Sequence, residues 1–176
     1  MLFRETPLSG AYVIDIDPRT DPRGFFARAF CSREFKDHSL ETEVAQANLS
    51  FNEAAGTLRG MHFQLSPHAE VKMVRCTQGS IFDVIVDLRS DSPTYGKWFG
   101  ETLSAENRRM MYVPKGFAHG YQTLEDHSEV FYMVTEPYAP DFEGGVRWDD
   151  PTLGIEWPLP NPIVSDRDRL HPLLNP

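Results

Sequence analysis

The sequence predicts an all-β protein with short peripheral helices, on the evidence of short apolar segments, their regular spacing and the turn residues between them. β-Branched and aromatic residues concentrate in these segments, and glycine, proline, aspartate and serine separate them. Strand-like segments at intervals of about ten residues are typical of a sandwich or barrel rather than of alternating strands and helices. The predicted strands are residues 11–16, 71–76, 81–88, 98–103, 109–113, 118–124 and 130–135.

Helices are predicted at residues 32–38, at residues 105–109 and in a short turn near the C-terminus. The chain contains no repeat, low-complexity tract or linker, so residues 1–176 are expected to form a single domain. The proline-rich tail that begins at Asp149 and contains Trp157 is expected to wrap the barrel as an ordered coil.

The charge balance and the cysteines narrow the class of partner. The 17 basic and 26 acidic residues give a net charge of −9, and no basic run points to nucleic acid, although a local basic pocket can still bind an anion.

The two cysteines, Cys31 and Cys76, match no zinc or redox motif. A disulfide between them is one alternative, but two free thiols of a cytoplasmic protein are favoured. The N-terminus lacks a signal-peptide pattern and no stretch approaches about 18 apolar residues, so no membrane is expected.

Two histidine-containing segments carry the first chemical signals. Residues 59–64 read Arg-Gly-Met-His-Phe-Gln, and on a regular strand Arg59 and His62 point to opposite faces unless the ladder bulges. Residues 114–120 have the proline, glycine and histidine spacing of the second cupin motif, whose histidine, here His119, normally binds a metal. Taken alone, His62 is more often a hydrogen-bonded structural histidine.

The first segment argues against a functional metal. A metal-binding cupin needs further ligands directly after its first histidine, whereas here Gln64 stands two positions after His62. Only His68 and Glu70 lie nearby, so the histidines fall short of the three protein ligands of a typical catalytic metal site. A cupin fold without a functional metal is therefore predicted.

Lys72 and Tyr132 interrupt strands that are otherwise largely apolar. A lysine that faces a barrel interior is costly unless it serves an anion, and the alternative is a lysine that points outward. Asp83 and Asp87 interrupt the next strand in the same way. A tyrosine in the position of Tyr132 is usually part of a core.

These residues occur within a longer series of segments that together resemble the dTDP-4-dehydrorhamnose 3,5-epimerase family. The resemblance implies a cupin-like jelly-roll β-barrel that inverts C3, C5 or both in a nucleotide-linked 4-keto-6-deoxy-hexose, with dTDP-4-dehydro-6-deoxyglucose as the best candidate. The matching stretches, in order, are residues 21–26, 46–50, 58–64, 72–76, 83–87, 92–94, 103–104 and 117–120, Tyr132, and residues 157–158 and 165–168.

The resemblance implies catalytic roles for four residues. It makes His62 the general base and Asp168 its partner, which suits a carboxylate that fixes the tautomer and stabilises the imidazolium. It assigns Lys72 to the 4-keto oxygen as that oxygen becomes an enolate, and Tyr132 to proton return from the opposite face. No cofactor is expected, since neither a dinucleotide-binding nor a phosphate-binding glycine motif is present.

The resemblance also implies substrate-binding residues and a homodimer with shared sites, in which the first segment adds a strand to the partner's sheet. Arg23 and Arg59 would clamp the diphosphate, because arginine meets such oxygens in a bidentate manner. Tyr138 would stack on the base, with help from Phe26. The implied binding residues are Arg23, Phe26, Arg28, Gln46, Asn48, Arg59, His119, Tyr138, Glu143 and Arg167.

Three positions depart from the family pattern and leave alternatives open. Arg28 replaces a glutamate that contacts the nucleoside, Arg167 replaces a lysine, and Glu70 replaces a glutamine. The first alternative is an epimerase that inverts only C3 or only C5, or that uses a CDP- or GDP-linked sugar. A metal-dependent cupin enzyme and a non-catalytic carbohydrate-binding cupin are the others. A sugar 3,4-ketoisomerase is disfavoured because the epimerase set is complete.

Overall fold

Two antiparallel sheets face each other and enclose both an apolar core and a polar cleft. The computed structural model describes residues 1–174, and α1 (Ser32–Asp37), a 3₁₀ helix (Pro140–Phe142) and α2 (Asp166–Arg169) lie outside the sheets. The strands are β1 (Leu2–Glu5), β2 (Tyr12–Asp15), β3 (Arg19–Asp21), β4 (Gly24–Phe26), β5 (Gln46–Asn52), β6 (Thr57–Gln64), β7 (Lys72–Gln78), β8 (Ser80–Asp87), β9 (Trp98–Ser104), β10 (Met110–Val113), β11 (Phe117–Thr123), β12 (Ser128–Val134), β13 (Glu143–Gly145) and β14 (Ile163–Val164).

The strand order confirms the predicted all-β, cupin-like jelly roll with short peripheral helices. One sheet has the order β1-β2-β10-β7-β12-β5 and the other the order β13-β6-β11-β8-β9, with β14 parallel to β6. Strands β3 and β4 form a separate hairpin. No helix within residues 1–174 is long and apolar enough to cross a membrane.

The alternation of side chains along β8 shows how both faces of a sheet are covered. Ile81 and Ile85 point between the sheets and pack with Val74 of β7. Val84 and Val86 point the other way and are covered by the C-terminal segment. Because successive side chains on a strand alternate between faces, a strand covered on both sides reads as a nearly continuous β-branched run.

The outer faces are covered by α1 and by the tail. Phe35 of α1 is fully buried and packs with Met73 and Tyr112 on the outside of the first sheet. Trp157 packs edge to face on Phe82, and its Nε1 donates to the carbonyl oxygen of Trp148. The prediction that the tail wraps the barrel is confirmed for residues 149–174, although this segment contains β14 and α2 as well as coil; residues 175–176 lie outside the described part of the chain.

The predicted helix at residues 105–109 was wrong. This segment is a tight turn between β9 and β10, in which the Asn107 side-chain oxygen accepts from the backbone N–H groups of Ser104 and Arg109. Arg108 has φ of 54°, which is outside the helical region. An asparagine side chain that bonds nearby backbone groups competes with the helix, and here the turn prevails.

A bulge between β6 and β11 explains how Arg59 and His62 can point to the same face of the sheet. His119 lies opposite His62, and two residues further on Tyr121 lies opposite Arg59, so β6 contains one extra residue. Arg59 and His62 therefore share a face. A Cβ on Gly60 would lie 2.6 Å from the Cα of Gly120, so the close approach of the two backbones requires glycine there.

Candidate active site

The cleft lies between the two sheets and collects most of the residues singled out in the sequence. Two adjoining cavities of about 280 and 320 Å³ share His62, Lys72 and Tyr132, so they form one continuous cleft. Cavities of this size are typical of small-molecule sites. The predicted residues that line it are His62, Lys72, Tyr132, Asp168, Gln46, Asn48, Arg59, His119, Tyr138, Glu143 and Arg167.

His62 of β6 and Asp168 of α2 form a tight pair. His62 Nε2 lies 2.7 Å from Asp168 Oδ1, and the other carboxylate oxygen accepts from the backbone N–H of Gly60 at 3.2 Å. Burial raises the pKa of Asp168, but the hydrogen bond and charge of His62, together with the Gly60 N–H and His171, outweigh burial, so the net pKa is lowered. An ionised Asp168 holds the proton on Nε2, so Nδ1 keeps a free lone pair.

The Ser165 side chain fixes the start of the helix that carries Asp168. Its Oγ accepts from the backbone N–H of Asp168 at 3.1 Å, which is the bond an N-cap residue normally makes. The cap sets where α2 begins and therefore where the carboxylate of Asp168 enters the cleft.

Lys72 points into the barrel, which excludes the outward alternative. Its side chain is only 12% exposed and shares the inner face of β7 with Val74 and Cys76. Its Nζ lies 3.1 Å from Glu70 Oε1 and donates to the carbonyl oxygen of His62 at 3.4 Å. The ammonium group therefore extends across the cleft from β7 and comes close to the backbone of His62 on the opposite sheet.

Tyr132 lies on β12, in the sheet that faces His62. Its side chain is partly buried against the core. Burial raises the pKa of Tyr132, and the nearby Tyr121 and Glu70 raise it further. The phenol therefore stays protonated at neutral pH and can donate a proton.

A second histidine–carboxylate pair and a fixed guanidinium line the inner part of the cleft. His119 Nε2 lies 2.7 Å from Oδ1 of the fully buried Asp83, and burial raises the pKa of Asp83. Arg59 Nε donates to the Asn52 side chain at 2.8 Å. These bonds hold the side chains of His119 and Arg59 in fixed positions.

The outer part of the cleft is formed by Tyr138, Glu143 and Arg167. Tyr138 Oη donates to Glu143 Oε2 at 2.6 Å, and Arg167 forms an ion pair with the same carboxylate. Burial raises the pKa of Glu143, but these two partners lower it below its usual range. The Gln46 side-chain oxygen accepts from the Tyr138 backbone N–H at 2.9 Å and positions the aromatic ring.

Arg23, Phe26 and Arg28 do not line the cleft of their own chain. Arg23 lies in the β3–β4 hairpin, is 88% exposed and pairs with Asp21, while Phe26 is 74% exposed. Arg28 pairs with Glu34 at 2.7 Å. The structure of this chain therefore leaves three implied substrate contacts on its surface.

The metal that many cupins hold between their two motifs does not fit these side chains. His62 is engaged with Asp168, and His119 is engaged with Asp83. Gln64 donates to the His68 carbonyl oxygen and accepts from the Ala139 N–H. Among residues 1–174, the two motifs therefore offer only His62 and His119 as ligands, which is fewer than the three protein ligands of a typical catalytic metal site.

Sequence reasoning missed cleft residues that lack a strong pattern. Tyr121 lines the cleft, and the hydroxyls of Tyr121 and Ser50 lie 2.9 Å apart. Tyr121 could have been found, since it follows His119 by two residues on the same strand. Glu70 appeared only beside His68 in the metal argument and as a departure from a family pattern. His171, which lies beside the cleft three residues after Asp168, gave no signal at all.

A base and a protonated phenol on facing walls suit proton transfer at both faces of a carbon beside a carbonyl. A lysine between them can hold the negative charge that develops on the carbonyl oxygen. The fold and the site together define a cupin-type epimerase.

Comparison with known proteins gives the particular family. Residues 5–176 match the family described as dTDP-4-dehydrorhamnose 3,5-epimerase. A dTDP-4-dehydrorhamnose 3,5-epimerase of Sinorhizobium fredii is 45% identical over 170 residues, covering 95% of this chain and 87% of the relative. The crystal structure of the Bacillus anthracis enzyme, with TDP and PPi bound, is 44% identical with a TM-score of 0.95, covering 98% of this chain and 99% of that one.

A Legionella pneumophila enzyme in complex with dTDP-4-keto-L-rhamnose is 35% identical with a TM-score of 0.91, covering 98% of this chain and 92% of that one. The chain belongs to the dTDP-4-dehydrorhamnose 3,5-epimerase family. It is an isomerase, a sugar-nucleotide 3,5-epimerase.

Proposed function

We propose that this chain inverts C3 and C5 of dTDP-4-dehydro-6-deoxyglucose in deoxysugar biosynthesis. The observation that carries the proposal is the position of His62 and Tyr132 on facing sheets of one cleft, with the Lys72 ammonium group inside the cleft. Family relatives crystallised with TDP and with dTDP-4-keto-L-rhamnose support a thymidine nucleotide.

His62 removes the proton from the carbon beside the C4 ketone. Its Nε2 proton is held by Asp168 at 2.7 Å, so Nδ1 accepts the substrate proton. The resulting imidazolium is stabilised by the ionised Asp168, which stays ionised because its pKa is lowered. Both C3 and C5 flank the same ketone, so one base can serve both carbons.

Lys72 holds the C4 oxygen while it carries the negative charge of the enolate. A cation fixed inside a partly dry cleft stabilises developing charge far better than one in water. Glu70, 3.1 Å from Lys72 Nζ, holds the ammonium group in place before the substrate arrives.

Tyr132 returns a proton from the opposite face, which inverts the carbon. The phenol gives its proton to the enolate carbon as the C4 carbonyl re-forms, and the tyrosinate then recovers a proton from solvent. Nearby Arg59 binds the diphosphate, His119, Gln46 and Asn48 contact the substrate, and Tyr138 stacks on the base. Glu143 and Arg167 complete the outer wall.

We also propose that the whole chain acts as one domain in a homodimer in which each β3–β4 hairpin completes the cleft of its partner. The exposed Arg23 and Phe26 support this arrangement, since neither has a role in its own cleft. Strand β1 also suits the expectation that the first segment adds a strand to the partner's sheet, because it pairs with β2 on one side and lies at the end of its own sheet. The free thiols of Cys31 and Cys76 support a cytoplasmic location.

Mixing two impaired variants tests the shared cleft. Arg23→Ala and His62→Ala dimers are each expected to be impaired, but a heterodimer has one cleft with both an intact His62 and the partner's Arg23. After subunit exchange, half of the dimers are mixed, so about one quarter of wild-type turnover is expected. Activity that merely averages the two parents, or a monomer by sedimentation, contradicts the shared cleft.

Heavy water tests the function itself. Chelated, metal-free protein is incubated in heavy water with dTDP-, CDP- and GDP-linked 4-keto-6-deoxy sugars, and deuterium is located by NMR and mass spectrometry. Deuterium at both C3 and C5 of the dTDP sugar is expected, with full turnover after chelation. Exchange at one carbon only would identify a mono-epimerase, preference for another base would correct the nucleotide, and rescue by one metal would contradict the mechanism.

A further inference from the structure

His171 lies beside the His62–Asp168 pair and is not used by the proposed reaction. Its ring makes an edge-to-face contact with His62, with 5.4 Å between ring centroids. Its Nε2 is buried and has no hydrogen-bond partner within residues 1–174, although it lies 3.8 Å from Asp168 Oδ1. A buried ring nitrogen with no partner is costly, so it calls for an explanation.

The three side chains have the composition and spacing of a metal site. Nitrogen atoms of His62 and His171 and an oxygen atom of Asp168 all lie within 4.8 Å of one another. In a tetrahedral zinc site with ligand bonds of about 2.0–2.1 Å, ligand atoms stand about 3.3 Å apart. Shifts of less than about 1 Å bring the present distances of 2.7 and 3.8 Å to that value.

The three ligands are held by their surroundings. The ring of His171 lies directly over Gly145, where a Cβ would come within 2.5 Å of its atoms. Gly145 pairs with His62 across β13 and β6, and the second oxygen of Asp168 is bonded to the Gly60 N–H. Support of this kind, from outside the ligand set, is what orients ligands in metal sites.

Two cavities border these three residues from different directions. The main cleft reaches His62 and Asp168, and a separate cavity bordered by Gly144, Gly145 and Arg167 reaches His171. The ligand set is distinct from the two cupin motifs, since two of its three members come from α2 and the residues that follow it.

We propose that His62, Asp168 and His171 form an inhibitory site for a divalent transition metal such as Zn²⁺. Two neutral imidazoles and one carboxylate suit such ions, and a water molecule can take the remaining position. The metal takes the Nε2 lone pair of His62, and the ring proton moves to Nδ1. Nδ1 then has no lone pair for the substrate proton, so the base is lost without any redox step.

Metal binding and inhibition are tested by separate measurements. Only the inhibition rests on the proposed function of His62 as the base. Binding is measured on the metal-free full-length chain by equilibrium dialysis against Zn²⁺, with bound zinc counted by mass spectrometry. One zinc per chain is expected. His171→Asn and Asp168→Asn should each weaken binding at least about tenfold, since even the loss of a supporting residue costs about 10–100-fold.

His119→Asn is the matched control, because His119 also pairs with a buried carboxylate but is not one of the three residues whose ligand atoms lie within 4.8 Å of one another. Zinc affinity should be unchanged in this variant, and zinc should raise the Tm of the wild-type chain and of His119→Asn but not of His171→Asn. Equal zinc affinity in wild type and His171→Asn, or no zinc bound to the wild-type chain, overturns the site.

Turnover provides the second measurement. Zinc is expected to reduce epimerisation in proportion to its occupancy, and a chelator is expected to restore it. In the His171→Asn variant the same inhibition should require at least about ten times more zinc. Zinc that binds as described but leaves turnover unchanged overturns the inhibitory role and counts against His62 as the base, while the metal site itself stands.

Discussion

The His62→Ala substitution is expected to slow epimerisation by about 10²–10⁴-fold, because it removes the general base. The imidazole is partly exposed in the cleft, so its loss leaves no apolar cavity in the core and the variant should fold. Turnover and deuterium exchange from heavy water should fall together, since neither can occur without proton removal. Both are measured in one NMR time course.

The Asp168→Asn substitution removes the negative charge and keeps the shape of the side chain. It therefore tests whether the charge of Asp168 is needed for turnover. The amide can no longer stabilise an imidazolium, so a large loss of turnover is expected in this variant too. Because the two residues act as one unit, the double variant should be little worse than His62→Ala alone. The control is Asp166→Asn, an exposed carboxylate on the same short helix that should leave turnover unchanged. Losses that multiply in the double variant would mean that Asp168 has a separate task.

The inward direction of Lys72 shows what a strand pattern can and cannot predict. The sequence showed a lysine within an apolar strand, and alternation alone allowed either face. The structure places it on the face shared by Val74 and Cys76, which lies between the two sheets. Both faces of β7 are covered, one by the opposite sheet and the other by α1. The sequence therefore could not show which face lies between the two sheets.

Strands β5 and β6 were not among the predicted strands, although they carry much of the site. Their inner positions are occupied by polar residues such as Asn48, Ser50, Arg59 and His62, so the apolar alternation that marks a strand is absent. A polar cleft thus removes the signal that predicts strands in the very segments that form it. The bulge in β6 was anticipated only as a condition under which Arg59 and His62 could share a face.

Other features of the site could not be predicted because they depend on contacts between distant parts of the chain. His171, for example, meets His62 only because α2 docks against β6. This contact does not follow from the spacing of the two residues in the sequence. The resemblance to a family brought Asp168 to the correct partner, whereas residue patterns alone offered no reason to link it with a histidine 106 positions earlier.

The Tyr132→Phe substitution is expected to separate proton exchange from inversion. The phenylalanine ring keeps the packing of Tyr132 against the core, so folding should be nearly intact. His62 still removes the proton and Lys72 still holds the enolate, but no acid remains on the opposite wall. The proton then returns from the side that it left.

The variant should therefore incorporate deuterium from heavy water within about tenfold of the wild-type rate, while epimer formation falls by about 10²–10⁴-fold. The matched control is Tyr121→Phe, which removes another hydroxyl from the same cleft, one that lies 2.9 Å from Ser50 Oγ. Any loss in that control should affect exchange and inversion equally, because Tyr121 donates no proton to carbon. If Tyr132→Phe also lowers both by the same factor, Tyr132 serves binding or proton removal. If it lowers neither, Tyr132 is a core residue, and the acid on the opposite face is water or another side chain.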